Sequence, residues 1–402
     1  MEFDEFAAAA ADVEAESADS AIRERVVELF GNASDALPVV TRFLLGRVFP
    51  AHESTTLDVG PKLCYEAIAR AAGQNVTVAD VEDRLAETGD IGAVAASYDL
   101  GGQRGLGAFR EGSRDALTVP GVDDRLRDLA GAAGEGSRVR KLDVLFGLFT
   151  RAGSREARYL ARLVLSEMRI GVGEGTVRDA IAEAFEVPVA EVERALHVSN
   201  DYGHVARVAR AEGAAGLSDI TLDVGRPVQA MLAQTGTVAE ALADWEVVAV
   251  ETKFDGARVQ IHHDGDRVTL YSRNMEDVTA PLPDIVATVE EQVAGPAILD
   301  GEVVAVDDEG APLPFQQVLR RFRRKHDVAK AREDVALRLH VFDCLHAEGR
   351  DLLDAPLVAR HEQLESVFGG EDADAVSDLW RCTDAEEIEE LEQIALATGH
   401  EG

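Results

Sequence analysis

The stretch WEVVAVETKFDGARVQIHHDGDRVTLYSRN, residues 245–274, decides the class of the second half of this 402-residue chain. Its apolar residues alternate with period two, as in half-buried strands, and Asp264-Gly265 between two such runs signals a hairpin turn. Inside it, Lys253, Asp255, Gly256 and Arg258 form a K-x-D-G-x-R pattern, although the chain has only five lysines (Lys62, Lys141, Lys253, Lys325 and Lys330). A lysine amine can attack phosphorus when desolvation or nearby cations keep it neutral often enough. A turn glycine lets the backbone come close to a nucleotide, and an arginine offers a forked donor to phosphate or ribose oxygens.

Working outward, PAILDGEVVAVDDEGAPLPF (296–315) and LRLHVFDCL (337–345) read as further strands. Helical stretches are expected at 281–294, 315–333, 356–368 and 384–398, so the region from about 223 onward is mixed α+β. Residues 1–222 read as helical throughout, because apolar residues recur at three- and four-residue spacing. In SREARYLARLVLSEMRIGVGEGTVRDAIAEAF (154–185), Leu160, Leu163, Val164 and Met168 share one helical face, and Arg155, Arg158, Arg162 and Arg169 lie along another. Gly171, Gly173 and Gly175 break the helix and Thr176 is placed to cap the next. The glycine run follows a helix rather than a strand, so it carries little weight as a nucleotide motif. Residues 210–226, with Gly213, Gly216 and Gly225, form the expected linker, and no internal repeat is visible.

The net charge is −35, yet 46% of the residues are apolar, enough to offset the entropy of ordering. Spread acidity, scarce lysine and many small residues suggest a cytosol of very high salt, in which self-repulsion is screened; an ordinary acidic protein is the alternative. Against this background Ser137–Arg178 carries nine basic residues and four acids. That inversion reads either as a solvated helix face with paired arginines or as a surface for a phosphate backbone. Cys64, Cys344 and Cys382 are too few and scattered for a disulfide framework or zinc site, so reduced thiols are expected. The acidic opening MEFDEFAAAA lacks the basic region of a signal peptide, and no apolar run reaches membrane-spanning length.

In order along the chain, ETKFDGARVQIH, YSRN, LDGEVV, HVFDCL and the terminal HEG resemble the successive motifs of the covalent nucleotidyltransferases, a superfamily of DNA ligases, RNA ligases and mRNA-capping enzymes. Within it the chain resembles the ATP-dependent DNA ligases of the archaeal and eukaryotic replicative type. LPVVTRFLLGRVFP, EARYLARLVLSEMRIGVGEGTVRDAIAEAF and VSNDYGHVARVA resemble that group's helical DNA-binding domain, and RPVQAMLAQ resembles the segment leading into its catalytic domain.

The resemblance implies a multi-domain fold: an all-α DNA-binding domain over 1–222, then an α+β nucleotidyltransferase domain over 223–402, ATP-grasp-like with antiparallel sheets. It implies Lys253 as the nucleophile that becomes adenylated, and Glu251 as acceptor for the adenine amine. Arg258 and Arg273 would contact ribose or phosphate, and Phe342 would stack on adenine. Glu302 would bind ribose or metal, with Glu401 as a second metal ligand. Arg155, Arg158, Arg162 and Arg169, with Arg320, Arg321, Arg323 and Arg324 of FQQVLRRFRRK, would contact DNA. ATP and Mg²⁺ are the implied cofactors, and nicked double-stranded DNA the substrate. A sliding clamp is a possible partner, and the expected setting is a monomer in the cytoplasm, associated with the nucleoid and not with a membrane.

The chain ends at GHEG, before the rest of that motif, a later lysine-rich motif and the family's OB-fold domain. The expectation is therefore a truncated chain that binds DNA and ATP but seals nicks poorly or not at all. The alternatives are a catalytically silent DNA-binding remnant, or an RNA-ligase- or capping-type enzyme. The helical N-terminal half argues against capping, and the lack of a four-cysteine zinc site argues against an NAD-using ligase.

Overall fold

The structure, a computed structural model, describes residues 1–100, 116–231, 233–322, 335–369 and 374–402. It divides into two compact units, Met1–Ile220 and Thr221–Gly402.

The described part of the first unit is helical: α1 (Phe3–Glu14), α2 (Asp19–Asn32), α3 (Leu37–Leu44), α4 (Pro61–Ala72), α5 (Val78–Thr88), α6 (Ile91–Ala96), α7 (Val119–Ala130), α8 (Ser137–Phe149), α9 (Ser154–Val164), α10 (Glu174–Ala184), α11 (Val189–Ser199) and α12 (Tyr202–Ser218). Their starts are written locally. Thr77 and Asp80 form a reciprocal capping box on α5, and Asp90 accepts the Gly92 and Ala93 N–H groups at the start of α6. The core is aromatic at its centre, with Phe6 packed between Phe3 and Phe43. Helix α6 lies so close to α9 that a Cβ on Gly92 would sit 2.7 Å from the Arg162 Nε and 2.8 Å from the Arg158 carbonyl oxygen.

Several local expectations change. Helix α9 ends at Val164, so Met168 and Arg169 lie past it, Arg169 at a φ of +54°, and Gly175 falls inside α10. Gly173, not Thr176, caps α10, and Thr176 lies inside the helix. The stretch 210–226 is not a linker along its length: α12 runs to Ser218, with one non-helical residue at Gly213.

The second unit is built on a five-stranded antiparallel sheet of order β3-β2-β4-β5-β6, with β2 (Ala257–His263), β3 (Val268–Ser272), β4 (Ala297–Val306), β5 (Ala336–Ala347) and β6 (Arg350–Asp351). A separate two-stranded sheet pairs β1 (Val248–Val250) with β7 (Trp380–Cys382). The β2–β3 hairpin turns at Asp264-Gly265: Gly265 has a φ of +107°, and the Asp264 carboxylate accepts the Asp266 and Arg267 N–H groups. Helices α13 (Val238–Asp244), α14 (Pro283–Gln292), α15 (Phe315–Phe322), α16 (Leu357–Val367) and α17 (Ala385–Ala397) are the described helices of this unit.

Period-two alternation gives the main sheet two unlike faces. Val259, Ile261, Leu299, Val303 and Val341 point into a core shared with Ile285 and Val289 of α14 and Leu364 of α16. Arg258, Gln260 and His262 of β2 point the other way, opposite Glu302, Asp300 and Ile298 of β4 in register. The polar face is where chemistry can be placed. The three cysteines are free and buried, and burial pushes the Cys64 and Cys344 thiols up to about 12. No described helix is long and apolar enough to cross a membrane.

Candidate active site

A cleft of about 1030 Å³ opens on the polar face, and the segment between β1 and β2 runs along it. Its lining includes Glu251, Lys253, Arg258, Arg273, Glu302, Phe342 and Glu401. Residues from five separated stretches of sequence are thus brought together.

Lys253 is 73% exposed, and its ammonium contacts the carboxylate of Glu401. The main chains are joined as well: the Lys253 N–H donates to the Gly402 carbonyl (2.8 Å), and the Glu401 N–H donates to that of Lys253 (3.0 Å). Phe254, next in the chain, stacks on His340 of β5 (centroids 4.1 Å apart) and meets His400 edge-on. Gly256 earns its place by packing rather than by nearness to a ligand, because a Cβ there would lie 2.5 Å from the Val303 carbonyl oxygen of β4.

Arg258 does not stand free. Its guanidinium forks onto the buried carboxylate of Asp300, with Nε 3.0 Å from Oδ1 and Nη2 in closer contact with Oδ2. It also lies 5.8 Å from the centroid of Phe342. Glu302 faces Arg258 across the strands, yet burial pushes its carboxyl up to about 7 despite the arginine's opposing pull; Asp300 and Asp255 add to the push. Burial, then Asp343, also raises the Glu251 carboxyl. Arg360 of α16 holds Asp343 with two bonds, of 2.8 and 3.0 Å. Arg273 is exposed at the cleft's rim.

Glu302 and Glu401 are hard oxygen donors of the kind a divalent cation takes. A carboxylate whose charge is disfavoured by burial is stabilised by a nearby cation. Among the described residues no three His, Cys, Asp or Glu side chains cluster as a ready cage. That donor set fits an ion such as Mg²⁺ bound through one or two carboxylates and completed by substrate phosphates.

Asp300 and the Asp343–Arg360 pair were not singled out from the sequence. Both aspartates flank motif residues, but only the fold shows what they hold.

Of the arginines expected on DNA, two are corrected. Arg162 is 4% exposed, with Nη1 and Nη2 donating to Glu14 (2.9 Å each), Nη2 and Nε to Asp90 (2.7 and 3.0 Å), and Nη1 also to the Met168 carbonyl. Arg321 is likewise buried, bonded to Asp284 (2.7 Å) and to the Val335 carbonyl (2.8 Å). Neither can reach a phosphate without giving up the carboxylates that hold it. Arg155 is exposed, with its nearest carboxylate Asp4 at 3.9 Å, and Arg158 stands at the same distance from Glu14. Arg169 is exposed but bonded to Glu167 and the Gly89 carbonyl. Arg320 is exposed and donates to Gln317. Arg323 and Arg324 lie outside the described residues.

Comparison with known proteins gives this geometry its family. The family described as ATP dependent DNA ligase domain matches residues 230–402, and that described as DNA ligase N terminus matches 2–182. The chain is 67% identical to the DNA ligase of Haloarcula marismortui and 62% identical to that of Natronomonas pharaonis, in each case over its whole length and 73% of the relative's. It is 40% identical to the DNA ligase of Methanococcoides burtonii over its whole length and 72% of the relative's. The acidic, lysine-poor composition accords with the halophilic archaea among these relatives. With the nucleotidyltransferase motifs gathered in one cleft and both family matches in sequence order, the chain belongs to the ATP-dependent DNA ligases, which use ATP and a divalent metal such as Mg²⁺ to seal nicks in DNA.

Proposed function

We propose that Lys253 is the nucleophile of this ligase and that the cleft around it is the ATP site. The observation that carries the reading is the placement of an exposed lysine among Glu251, Arg258, Glu302 and Phe342, on the sheet face that the core leaves open. In the first step the Lys253 amine attacks the α-phosphate of ATP. A nitrogen–phosphorus bond forms, the bond to the β-phosphate oxygen breaks, and pyrophosphate leaves. The AMP group then passes to the 5′-phosphate at a nick, and the adjoining 3′-hydroxyl displaces AMP. Each step is an in-line displacement, so positioning and charge neutralisation are what the protein contributes.

Glu401 orients the Lys253 amine. Glu251 accepts from the adenine amine, and Phe342 offers a face to the base. Arg258, its plane fixed by Asp300, and Arg273 at the rim meet ribose or phosphate oxygens. Glu302 serves ribose or metal. Glu302 and Glu401 would hold a divalent cation such as Mg²⁺, which would supply charge neutralisation at the reacting phosphate.

The first 222 residues form the DNA-binding part and residues 223–402 the adenylation part. Arg155, Arg158, Arg169 and Arg320 supply phosphate contacts. A monomer working on chromosomal DNA in the cytoplasm, with a sliding clamp as partner, completes the proposal.

Intact-mass spectrometry of the chain in molar KCl with Mg²⁺ and ATP tests it. The mass should rise by one AMP in the wild type and not in Lys253→Ala. An adduct that survives that substitution refutes the assignment.

A further inference from the structure

Beyond Arg258, the next two side chains on the polar face of β2 are Gln260 and His262, and neither lines the cleft. Both are buried, and both grip the main chain of the segment that enters the second unit. The Gln260 carboxamide copies a strand's backbone pairing: the Val228 N–H donates to its Oε1 (2.8 Å), and its Nε2 donates to the Val228 carbonyl (3.1 Å). The Gly225 N–H donates to Nδ1 of His262 (2.9 Å), so the neutral ring carries its proton on Nε2, 3.1 Å from the Gln260 Oε1. Burial pulls His262 down to about 3 and keeps the ring neutral. Tyr271, across from Gln260 on β3, donates its hydroxyl to the Gly225 carbonyl (2.6 Å) and meets His262 edge-on. At the near end of the strap, the Leu222 N–H donates to Asp351.

Three residues past Val228 stands Met231, 77% exposed and part of the cleft lining with Ala233. A large apolar side chain left this open on a cleft wall gains burial when a ligand seats against it.

We propose that Gln260, His262 and Tyr271 are positioning residues that latch the strap 222–228 to the sheet, so that Met231 makes a nonpolar wall contact with bound ATP. The latch sets nucleotide affinity and takes no part in phosphoryl transfer. The inference rests on the reading of the cleft as the ATP site. Opening the strap would leave the amide of Gln260 and the N–H and carbonyl of Val228 unpaired in a buried setting, so the wall is stiff.

The test is an ATP titration of AMP-adduct formation by the whole chain, read by intact mass as a half-saturating concentration and a maximal rate. Gln260→Leu, which removes both bonds to Val228 and the one to His262 at similar volume, should raise half-saturation about 5- to 20-fold while the maximal rate stays within about two-fold, as expected for lost ground-state binding. Met231→Ala, exposed and free of folding consequences, should do the same. The double variant should be no worse than the poorer single, because both act through one contact. The inference is overturned if Met231→Ala leaves half-saturation unchanged, if Gln260→Leu lowers the maximal rate instead, or if the two effects multiply. A wild type that takes up no AMP is a different failure, that of the cleft assignment itself, and the inference falls with it.

Discussion

Replacing Arg162 with methionine separates structure from DNA binding in the arginine-rich helix α9. The guanidinium makes five hydrogen bonds, four of them to the carboxylates of Glu14 and Asp90. Methionine fills the volume but leaves two carboxylates without their cation, and breaking a buried pair from one side costs about 3–5 kcal/mol. For a unit of this size, that is a fall of about 10 °C in its melting temperature.

The deficit should depend on pH. Burial tends to raise the Glu14 and Asp90 carboxyls, but their bonds to Arg162 win and lower both. A depressed carboxyl contributes stability that is fully present above its unfolded value and lost as pH falls through the folded one. The gap between variant and wild type should therefore be widest near neutrality and narrow as pH falls below about 4. Adding Glu14→Gln and Asp90→Asn should recover much of the loss. Calorimetric melts across pH in molar KCl, with DNA binding measured against salt, give the answer. Where the variant is folded, its log–log salt slope should match the wild type. An Arg162→Met protein that melts normally but binds DNA with a shallower slope would refute the structural role.

Arg155→Ala and Arg320→Ala should leave melting unchanged within about 0.5 kcal/mol and each lower the DNA-binding salt slope by about one. Arg321→Ala should instead destabilise the second unit by about 3–5 kcal/mol, visible as a shifted melt without DNA. Gly256→Ala drives a Cβ into the Val303 carbonyl, so a loss of about 1–3 kcal/mol and slower AMP-adduct formation are expected together in melts and mass spectra. With a net charge of −35, transfer from molar to 0.1 M KCl should lower the melting temperature, while an uncharged osmolyte such as sucrose at the same low salt should restore it only in part.

The hairpin at Asp264-Gly265 and the two faces of the sheet were legible in the sequence, because period-two alternation and turn chemistry are local. The fate of the arginines was not. Counting by helical spacing places Arg155, Arg158 and Arg162 on one stripe, and nothing near them announces Glu14 or Asp90, which arrive from distant helices. By Leu160 the helix is buried all round, so a stripe argument that assumes a solvent side no longer applies. The same limit hid the work of Gly256 and Gln260. Each reads locally as part of a motif or an alternating strand, but its role is fixed by a backbone segment far away in the chain, Val303 for one and Val228 for the other.

The main-chain stitch between Lys253 and Glu401-Gly402 has a consequence during synthesis. The stitch closes roughly 150 residues after Lys253 is made, a delay of on the order of ten to thirty seconds at usual translation speeds. Until then a nascent chain carries Lys253, the proposed nucleophile, without the main-chain and carboxylate partners it has in the folded unit. The first half of the protein can fold on the ribosome well before that. A ribosome stalled anywhere in the intervening stretch would thus display a folded helical unit beside an unassembled catalytic one.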